Sequence, residues 1–542
     1  MFLLAVGWLA GIIWLWRKGD EDTALRRWLI VGALLATGIA AFVHFLLPLE
    51  GFESAFPIDD SYITLSAARN FAEHNLFAVN PDAPLAGITS PLHVLLVGTL
   101  GKLFGVVWTN RLLGLIAYLV AILGTLVWTR RLGGSTVAGV LAAVAVALGG
   151  PLAFAALNGL ETCLFAALVI WSCIVFEKSG ERVRLLPVVG LLIGLAILTR
   201  PEGYFLGAAI YLVAAIGVLR HRDFGRVGWI ALGVLVTVAV VSPYWYLNYV
   251  NLGHVMPVTV AAKKHFFAAA CMPSLARVGL VLISPTMLLG FFLAFVPLLF
   301  WAGAWWRRGY PILFIALFYG AYLLQFPGAL THYWGRYQHP LLPIVMAGFA
   351  LGLGALLERW RPTEGRGFKK RGYVTIALFV FVIGLSGTLQ RGAYRNAIAT
   401  ASEGGYLMQV VRWLQENTEP DALIAAHDIG LITYFSGRKV LDLVGLTDPE
   451  VAMVYAATPP PCRGGHAERA QRLYDLLAER RPAIVYFHPD WNRQYMGLLT
   501  VDGGRHLKHV HTMEKKMGTW PREVKVHEYR FFKTDWDAPK AP

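Results

Sequence analysis

Apolar residues run along this chain in long uninterrupted blocks, a pattern that reads as membrane crossings and not as the faces of a water-soluble core. The blocks fall near residues 1–16, 28–48, 111–129, 136–157, 162–177, 185–198, 204–219, 227–243, 279–304, 310–326, 340–357 and 373–389. A crossing takes roughly twenty residues, so about twelve are expected, several of them short. A thirteenth block, 91–107, would move the basic loops at Arg130-Arg131 and Lys178–Arg184 to the other side if it crossed. It therefore reads as a re-entrant or surface-lying helix.

Past Gly404 the pattern shortens to that of a soluble domain. Met408–Asn417 and Glu468–Glu479 have helical spacing, Ala422–Ala426 and Lys439–Val444 read as strands, and Ala483–His488 as a buried strand. Such alternation predicts a small α/β unit. The expected fold class is a polytopic α-helical membrane protein with about twelve or thirteen membrane helices over residues 1–400, followed by a small α/β domain over 401–542. Asp535–Pro542 reads as a frayed tail.

Composition agrees with the membrane reading. The 542 residues are 56% hydrophobic and 15% charged, and the mean hydropathy is +0.54. Met1–Trp16 runs into Arg17-Lys18 without a small-residue cleavage site, so it is expected to be a retained helix. The net charge of +14 does not call for nucleic acid, because most cations border the apolar blocks. Arg17, Lys18, Arg26, Arg27, Arg130, Arg131, Lys178, Arg182, Arg184, Arg220, Arg222, Arg226, Arg307, Arg308 and the 359–371 cluster partition to one side, the cytoplasmic one. The loop over 49–90, the turns at Asn158–Glu161 and Thr199–Glu202, the loops Tyr244–Arg277 and Phe326–Pro340, and everything after Gln390 then face outward from the inner membrane. Cys163, Cys173, Cys271 and Cys462 show neither metal-ligand spacing nor a disulfide framework.

The outward loops carry the chemistry. Asp59-Asp60 open the segment after the second block, an Arg200-Pro201-Glu202 turn and a Lys263-Lys264-His265 run lie further on, and Thr331–Tyr337 follows with His332, Tyr333 and Arg336. A carboxylate deprotonates an alcohol, and Arg and Lys neutralise a phosphate leaving group. Together these jobs describe transfer of a group from a phosphate donor to a hydroxyl. Tyr62, Tyr333, Trp334 and Tyr337 suit sugar faces, and also suit the interface belt of any membrane protein. Asp59 and Asp60 side by side also suit a hard divalent cation. Glu161 reads more simply as a helix-start acid than as a cavity residue, and His427-Asp428 as packing residues, since neighbours on a strand face opposite ways. No cytoplasmic loop is long enough for a nucleotide-binding domain, so a donor would arrive through the membrane.

Ile58-Asp59-Asp60-Ser61-Tyr62-Ile63-Thr64, Ala68-Arg69-Asn70-Phe71-Ala72 and Gly87-Ile88-Thr89-Ser90-Pro91-Leu92 resemble the first external loop of bacterial polytopic glycosyltransferases of the GT-C class. The likeness is to the branch containing the mycobacterial terminal arabinofuranosyltransferase. Gly253–Lys263 is similar to that branch's Pro-Asn-Thr…Lys loop, with Val258 where Asn is usual, and Trp334-Gly335-Arg336-Tyr337 resembles its Gly-Arg-Tyr element. Ala426–Gly430 and Leu441–Leu446 look like parts of its C-terminal external domain. The resemblance implies a polyprenyl-phosphate sugar donor, a hydroxyl acceptor on a cell-envelope glycan, lipid or protein, and an inverting displacement with a first-loop aspartate as base. On this chain it implies Asp59 as base with Asp60 orienting it or binding sugar hydroxyls. Lys263, Arg336 and Arg200 would hold the donor phosphate, and Tyr62, Ser90, Glu202, His332, Tyr333 and Tyr337 would contact substrate. Protein O-mannosyl or lipid A aminoarabinose transfer would need much the same donor side. The alternative from another class is a lipid or sugar transporter or flippase, which calls for repeated hydrophobic patterns and broken midplane helices that this sequence does not display. A membrane scaffold presenting the C-terminal domain would have no use for the external acids and cations.

Overall fold

The structure, a computed structural model, describes residues 2–18, 23–49, 55–267, 271–290, 297, 300, 308–359, 368–519 and 523–537. Seven described helices are long and apolar enough to cross a membrane: Ala24–Leu49, Val106–Arg131, Thr162–Ser179, Gly203–His221, Phe224–Leu252, Pro327–Arg359 and Ile376–Asn417. A bent pair, Thr136–Leu148 with Pro151–Leu157, makes an eighth when counted as one span. The remaining blocks are shorter apolar helices, Leu3–Trp16, Pro91–Phe104, Val183–Thr199, Ser274–Leu289 and Tyr310–Gln325. At 1.5 Å per residue, a helix of 14 residues such as Pro91–Phe104 reaches only about 21 Å, short of a hydrocarbon core of roughly 30 Å. Most of the expected crossing after residue 290, and much of the basic cluster over 359–371, lie outside the described residues.

Close helix crossings hold the bundle together. A Cβ on Gly190 would come within 2.0 Å of the Gly233 carbonyl oxygen, so only glycine lets these two helices approach. The long helix Val106–Arg131 joins the two ends of the bundle. Near its start Arg111 donates to the Ala55 carbonyl at 2.9 Å, and at its end Arg131 pairs with Glu181 at 3.5 Å. Twenty residues of helix separate these contacts by about 30 Å. Arg226–Asp223 at 2.6 Å and Arg308–Glu177 at 3.5 Å gather beside the same basic end.

The C-terminal region is an α/β unit with five strands in the order β2-β1-β3-β5-β4: β1 Leu423–Ala426, β2 Lys439–Asp442, β3 Ile484–Phe487, β4 Leu507–Thr519 and β5 Glu523–Thr534. The first three are parallel, and β5 pairs antiparallel with β3 and β4. The hairpin β4–β5 escaped the sequence reading because Lys508–Lys516 is largely polar and offers no apolar alternation. The boundary expected at residue 401 falls inside one continuous 50-residue helix, Phe368–Asn417, which carries the chain from the bundle into the sheet unit.

Several contacts fix that unit to the membrane part. Among them are the docking of the first loop described below and a disulfide between Cys271 and Cys462, Cα–Cα 5.5 Å, across a sequence separation of 191. This corrects the reading that no disulfide is indicated, while Cys163 and Cys173 are free and buried: the bonded partners are too far apart in sequence to show any spacing pattern. Closing so long a loop is worth about 2–4 kcal/mol in the usual case. Reduction with dithiothreitol, or Cys462→Ser, is therefore expected to lower the thermal unfolding temperature. An unchanged melting curve after reduction would show that the bridge does not hold the unit in place.

Candidate active site

Consecutive residues at the start of a helix point about 100° apart, and that rotation separates the two acids of the first loop. Asp60 opens the helix Asp60–His74, with Asp59 immediately before it. Asp59 turns toward the C-terminal unit and is buried there, its Oδ2 accepting from Gly430 N–H and its Oδ1 from Leu431 N–H, each at 2.8 Å. Burial, then the nearby Asp428 charge, push Asp59 well above the usual carboxylate range against the pull of those two donors. Asp60 turns the other way and forms an ion pair with Arg336 Nη2. Burial would raise Asp60, but Arg336 and then Lys263 outweigh it and hold the carboxyl well below its ordinary value.

Asp60, Lys263, Arg336, Tyr337, Arg200 and Glu202 all line one cavity of about 200 Å³. Lys263 comes from the helix Val258–Phe266, which is anchored by Phe266 among Tyr455, Trp491 and Tyr495 of the C-terminal unit. Its Nζ donates to the Tyr337 hydroxyl at 3.1 Å. Burial alone would lower this ammonium, yet Tyr337 and Asp60 keep it above its usual value. Arg336 Nη2 also donates to Tyr337 at 3.2 Å, while Nη1 is buried without a hydrogen-bond partner. Arg336 sits on a tight segment, Pro327–Leu341, in which Tyr333, Trp334 and Gly335 take φ of 42°, 58° and 79° in succession. Left-handed conformations at non-glycine residues cost roughly 1–3 kcal/mol each and persist where the surroundings over-determine them.

Arg200 faces the cavity, but its guanidinium is engaged. It donates to both oxygens of Glu202 at 2.6 and 3.2 Å and to Glu161 at 3.0 Å, and Tyr322 donates to Glu202. Three of its five N–H donors are held by two carboxylates, so Arg200 builds the cavity wall beside Arg336 and Lys263. Removing it leaves two acids facing each other in a mostly buried site, a loss of about 3–5 kcal/mol. Arg200→Ala should lower the unfolding temperature sharply, and adding Glu161→Gln and Glu202→Gln should restore most of it. Failure of the triple variant to recover stability would refute the charge argument.

Other expected contacts are not in the cavity. The Tyr62 hydroxyl accepts from Phe56 N–H at 2.9 Å, and its ring packs on Phe56, Tyr434 and Phe435. Ser90 is buried ahead of the helix Pro91–Phe104, and its neighbour Thr89 reaches the cavity instead. His332 packs against Tyr333, and Tyr333 lies under the Arg336 guanidinium, 5.1 Å from its ring. The two first-loop acids face different partners and so do not form a shared cation site. Among the described residues no group of three His, Cys, Asp or Glu could hold a metal ion. Glu161 stands at the start of the helix Thr162–Ser179, as read, and lines the cavity as well, the second role that the helix-start reading had set aside. Tyr322, Thr199 and Leu446 also line the cavity. Leu446 belongs to the C-terminal unit, and no sequence pattern pointed to it.

Comparison with solved structures places this geometry in a known fold. ArnT from Cupriavidus metallidurans bound to undecaprenyl phosphate aligns over 94% of this chain and 99% of its own, at 14% identity and TM-score 0.54. An oligosaccharyltransferase from Archaeoglobus fulgidus, tethered with an acceptor peptide, aligns over 93% of this chain and 74% of its own, at 12% identity and TM-score 0.56. The chain has the GT-C fold. The arabinofuranosyltransferase AftD from Mycobacteria aligns over 95% of this chain and 42% of its own at 17% identity, and its TM-score of 0.48 carries no weight for a particular branch. A family model described as a domain of unknown function (DUF8728) matches residues 393–535, which spans the end of the long helix and the sheet unit. Comparison with curated proteins gives no match.

Proposed function

We propose that this multi-pass membrane protein transfers a glycosyl unit from a polyprenyl-phosphate donor to an acceptor hydroxyl, with inversion, and that Asp60 is its base. The observation that carries the reading is the convergence of Asp60, Lys263 and Arg336, from three distant segments, on one cavity. Undecaprenyl phosphate bound to ArnT, a protein of the same fold, supports a lipid-phosphate donor. Asp60 takes the proton of the acceptor hydroxyl, the oxygen attacks the anomeric carbon, and the bond to phosphate breaks as charge gathers on the leaving group. Arg336 and Lys263 neutralise that charge. In the empty site Arg336 is spent on Asp60; a donor phosphate drawing the guanidinium away would return the carboxylate to ordinary basicity.

Asp59, the base implied by the sequence resemblance, is instead read as the pin between the first loop and the C-terminal unit. Arabinofuranose is the sugar that the first-loop motif suggests, and an envelope glycan, lipid or protein hydroxyl is the acceptor class. The loop cations on one end of the bundle support a cytoplasmic side there, with the cavity on the extracytoplasmic face of the inner membrane. The Cys271–Cys462 bridge, suited to an oxidising compartment, supports the same orientation of the C-terminal unit. The test is to incubate the protein in proteoliposomes with a panel of polyprenyl-phosphate sugars, including the arabinofuranosyl donor, and to follow release of polyprenyl phosphate together with the anomeric configuration of the product. Movement of intact donor across the bilayer without cleavage would replace this reading with a flippase.

A further inference from the structure

The strained segment Pro327–Leu341 has a cavity on each of two sides. Arg336 and Tyr337 line the first, whereas Trp334 and His339 line a second of about 280 Å³. The second is also lined by Phe154, by the turn at Gly149–Pro151, by Thr286–Gly290 and by Thr388, Arg391, Gly392 and Arg395 of the long helix. Phe154 meets both Trp334 and His339 edge to face, with ring centroids 5.3 and 6.1 Å apart, and all three line the second cavity while none lines the first.

The charge along the rim of this second cavity is unbalanced. Arg391, exposed, and Arg395, half-buried, stand one helical turn apart and both line it, and no acid is among its described lining residues. The Arg395 guanidinium is 5.7 Å from the Trp334 ring. His339 is only 2% exposed, and its Nδ1 is buried without a hydrogen-bond partner. Like charges at i and i+4 repel, and a buried polar atom left without a partner destabilises the fold. Both defects are relieved by an anion. The position of the pair selects the kind: Arg391 follows directly on the apolar run 373–389, where a membrane helix passes from hydrocarbon to headgroups. Two guanidiniums side by side match a doubly charged phosphate monoester better than the single charge of a diester.

We propose that the second cavity binds the phosphate monoester headgroup of a lipid, with Arg391 and Arg395 on its oxygens and His339 Nδ1 as the remaining polar partner. The site is separate from the cavity assigned to transfer and stands whether or not that reading does.

The experiment uses the full chain carrying Arg336→Gln, so that the first cavity lacks its guanidinium. Lysophosphatidic acid, a monoester, is titrated against lysophosphatidylglycerol, a diester, and against inorganic phosphate, with binding read by native mass spectrometry. The monoester lipid should bind at least tenfold tighter than either competitor. Arg391→Gln with Arg395→Gln should weaken it tenfold or more, while the charge-conserving Arg391→Lys with Arg395→Lys should fall between the wild type and the glutamine pair, keeping the charge but not the two-pronged contact. Equal binding of the diester would reduce the site to a general anionic anchor and overturn the proposal. So would inorganic phosphate binding as tightly as the lipid, unchanged affinity in the glutamine pair, or equal loss in the lysine and glutamine pairs.

Discussion

Asp60→Asn should reduce glycosyl transfer by a factor on the order of 10²–10⁴, the usual contribution of a positioned general base, while leaving donor binding within a few-fold of the original. Asparagine keeps the size of the side chain and still accepts a hydrogen bond from Arg336, but it does not take a proton. The Asp60 side chain is 29% exposed but that of Arg336 only 4%, so the substitution leaves a buried guanidinium facing a neutral partner. Some loss of stability is therefore expected beside the loss of rate, and turnover is to be compared at equal folded fraction. Transfer of labelled sugar and donor binding by calorimetry are to be measured on the same preparation; wild-type turnover in the variant would remove Asp60 from the chemistry. A pH profile adds an independent reading. In the empty site Asp60 is held well below the usual carboxylate range, so kcat/KM should show no ionisation of this group between about pH 5 and 8. Once donor phosphate engages Arg336, the acid should regain basicity, and its limb should appear in kcat, which reports the bound complex.

Asp59→Ala should act in the opposite way, on stability and not on chemistry. It strips two buried backbone N–H groups, those of Gly430 and Leu431, of their acceptor. Two lost bonds and two buried unpaired donors amount to about 2–4 kcal/mol. A lower unfolding temperature and faster proteolysis of the C-terminal unit are expected, with the surviving folded fraction still able to bind donor. Gly430→Ala should resemble it, because a Cβ there would lie 2.0 Å from the Asp59 carbonyl oxygen. Full stability of Asp59→Ala together with complete loss of turnover would return the role of base to Asp59.

The two acids should also give stability opposite dependences on pH. Asp59 is raised in the folded protein, so the fold holds a proton that the unfolded chain releases. Its contribution therefore grows as pH falls from the raised value toward about 4, the ordinary carboxylate pKa. Asp60 is lowered, so its contribution is complete above about pH 4 and is lost on further acidification. Melting temperature measured across this range in wild type and in Asp59→Asn should differ in slope on the higher-pH side of 4. Parallel curves would mean that Asp59 does not titrate in the fold.

Much of the architecture could be read before any coordinates because hydropathy is a local property. Each run of apolar side chains has to leave water whatever its neighbours do, so the membrane class followed from the chain alone. The α/β character of the C-terminal unit followed in the same way from short runs such as Ile484–Phe487, whose four residues are all buried. Lys263, Arg336 and Tyr337 were also legible, as cations and an aromatic in loops otherwise poor in charge, and they do meet at one cavity.

The division of labour between Asp59 and Asp60 was not legible, and neither was the disulfide. Adjacent acids are equivalent in a sequence; a helical rotation of about 100° and the position of Gly430, some 370 residues later, decide which one is pinned and which one faces the hollow. Cys271 and Cys462 are likewise brought together across a separation of 191, for which no local pattern exists. Sequence by itself determined the solvent each segment must face and the kinds of chemistry its loops carry. Only tertiary structure decided which charges meet, since Coulomb and hydrogen-bond partners are chosen over a few ångströms of space and not by distance along the chain.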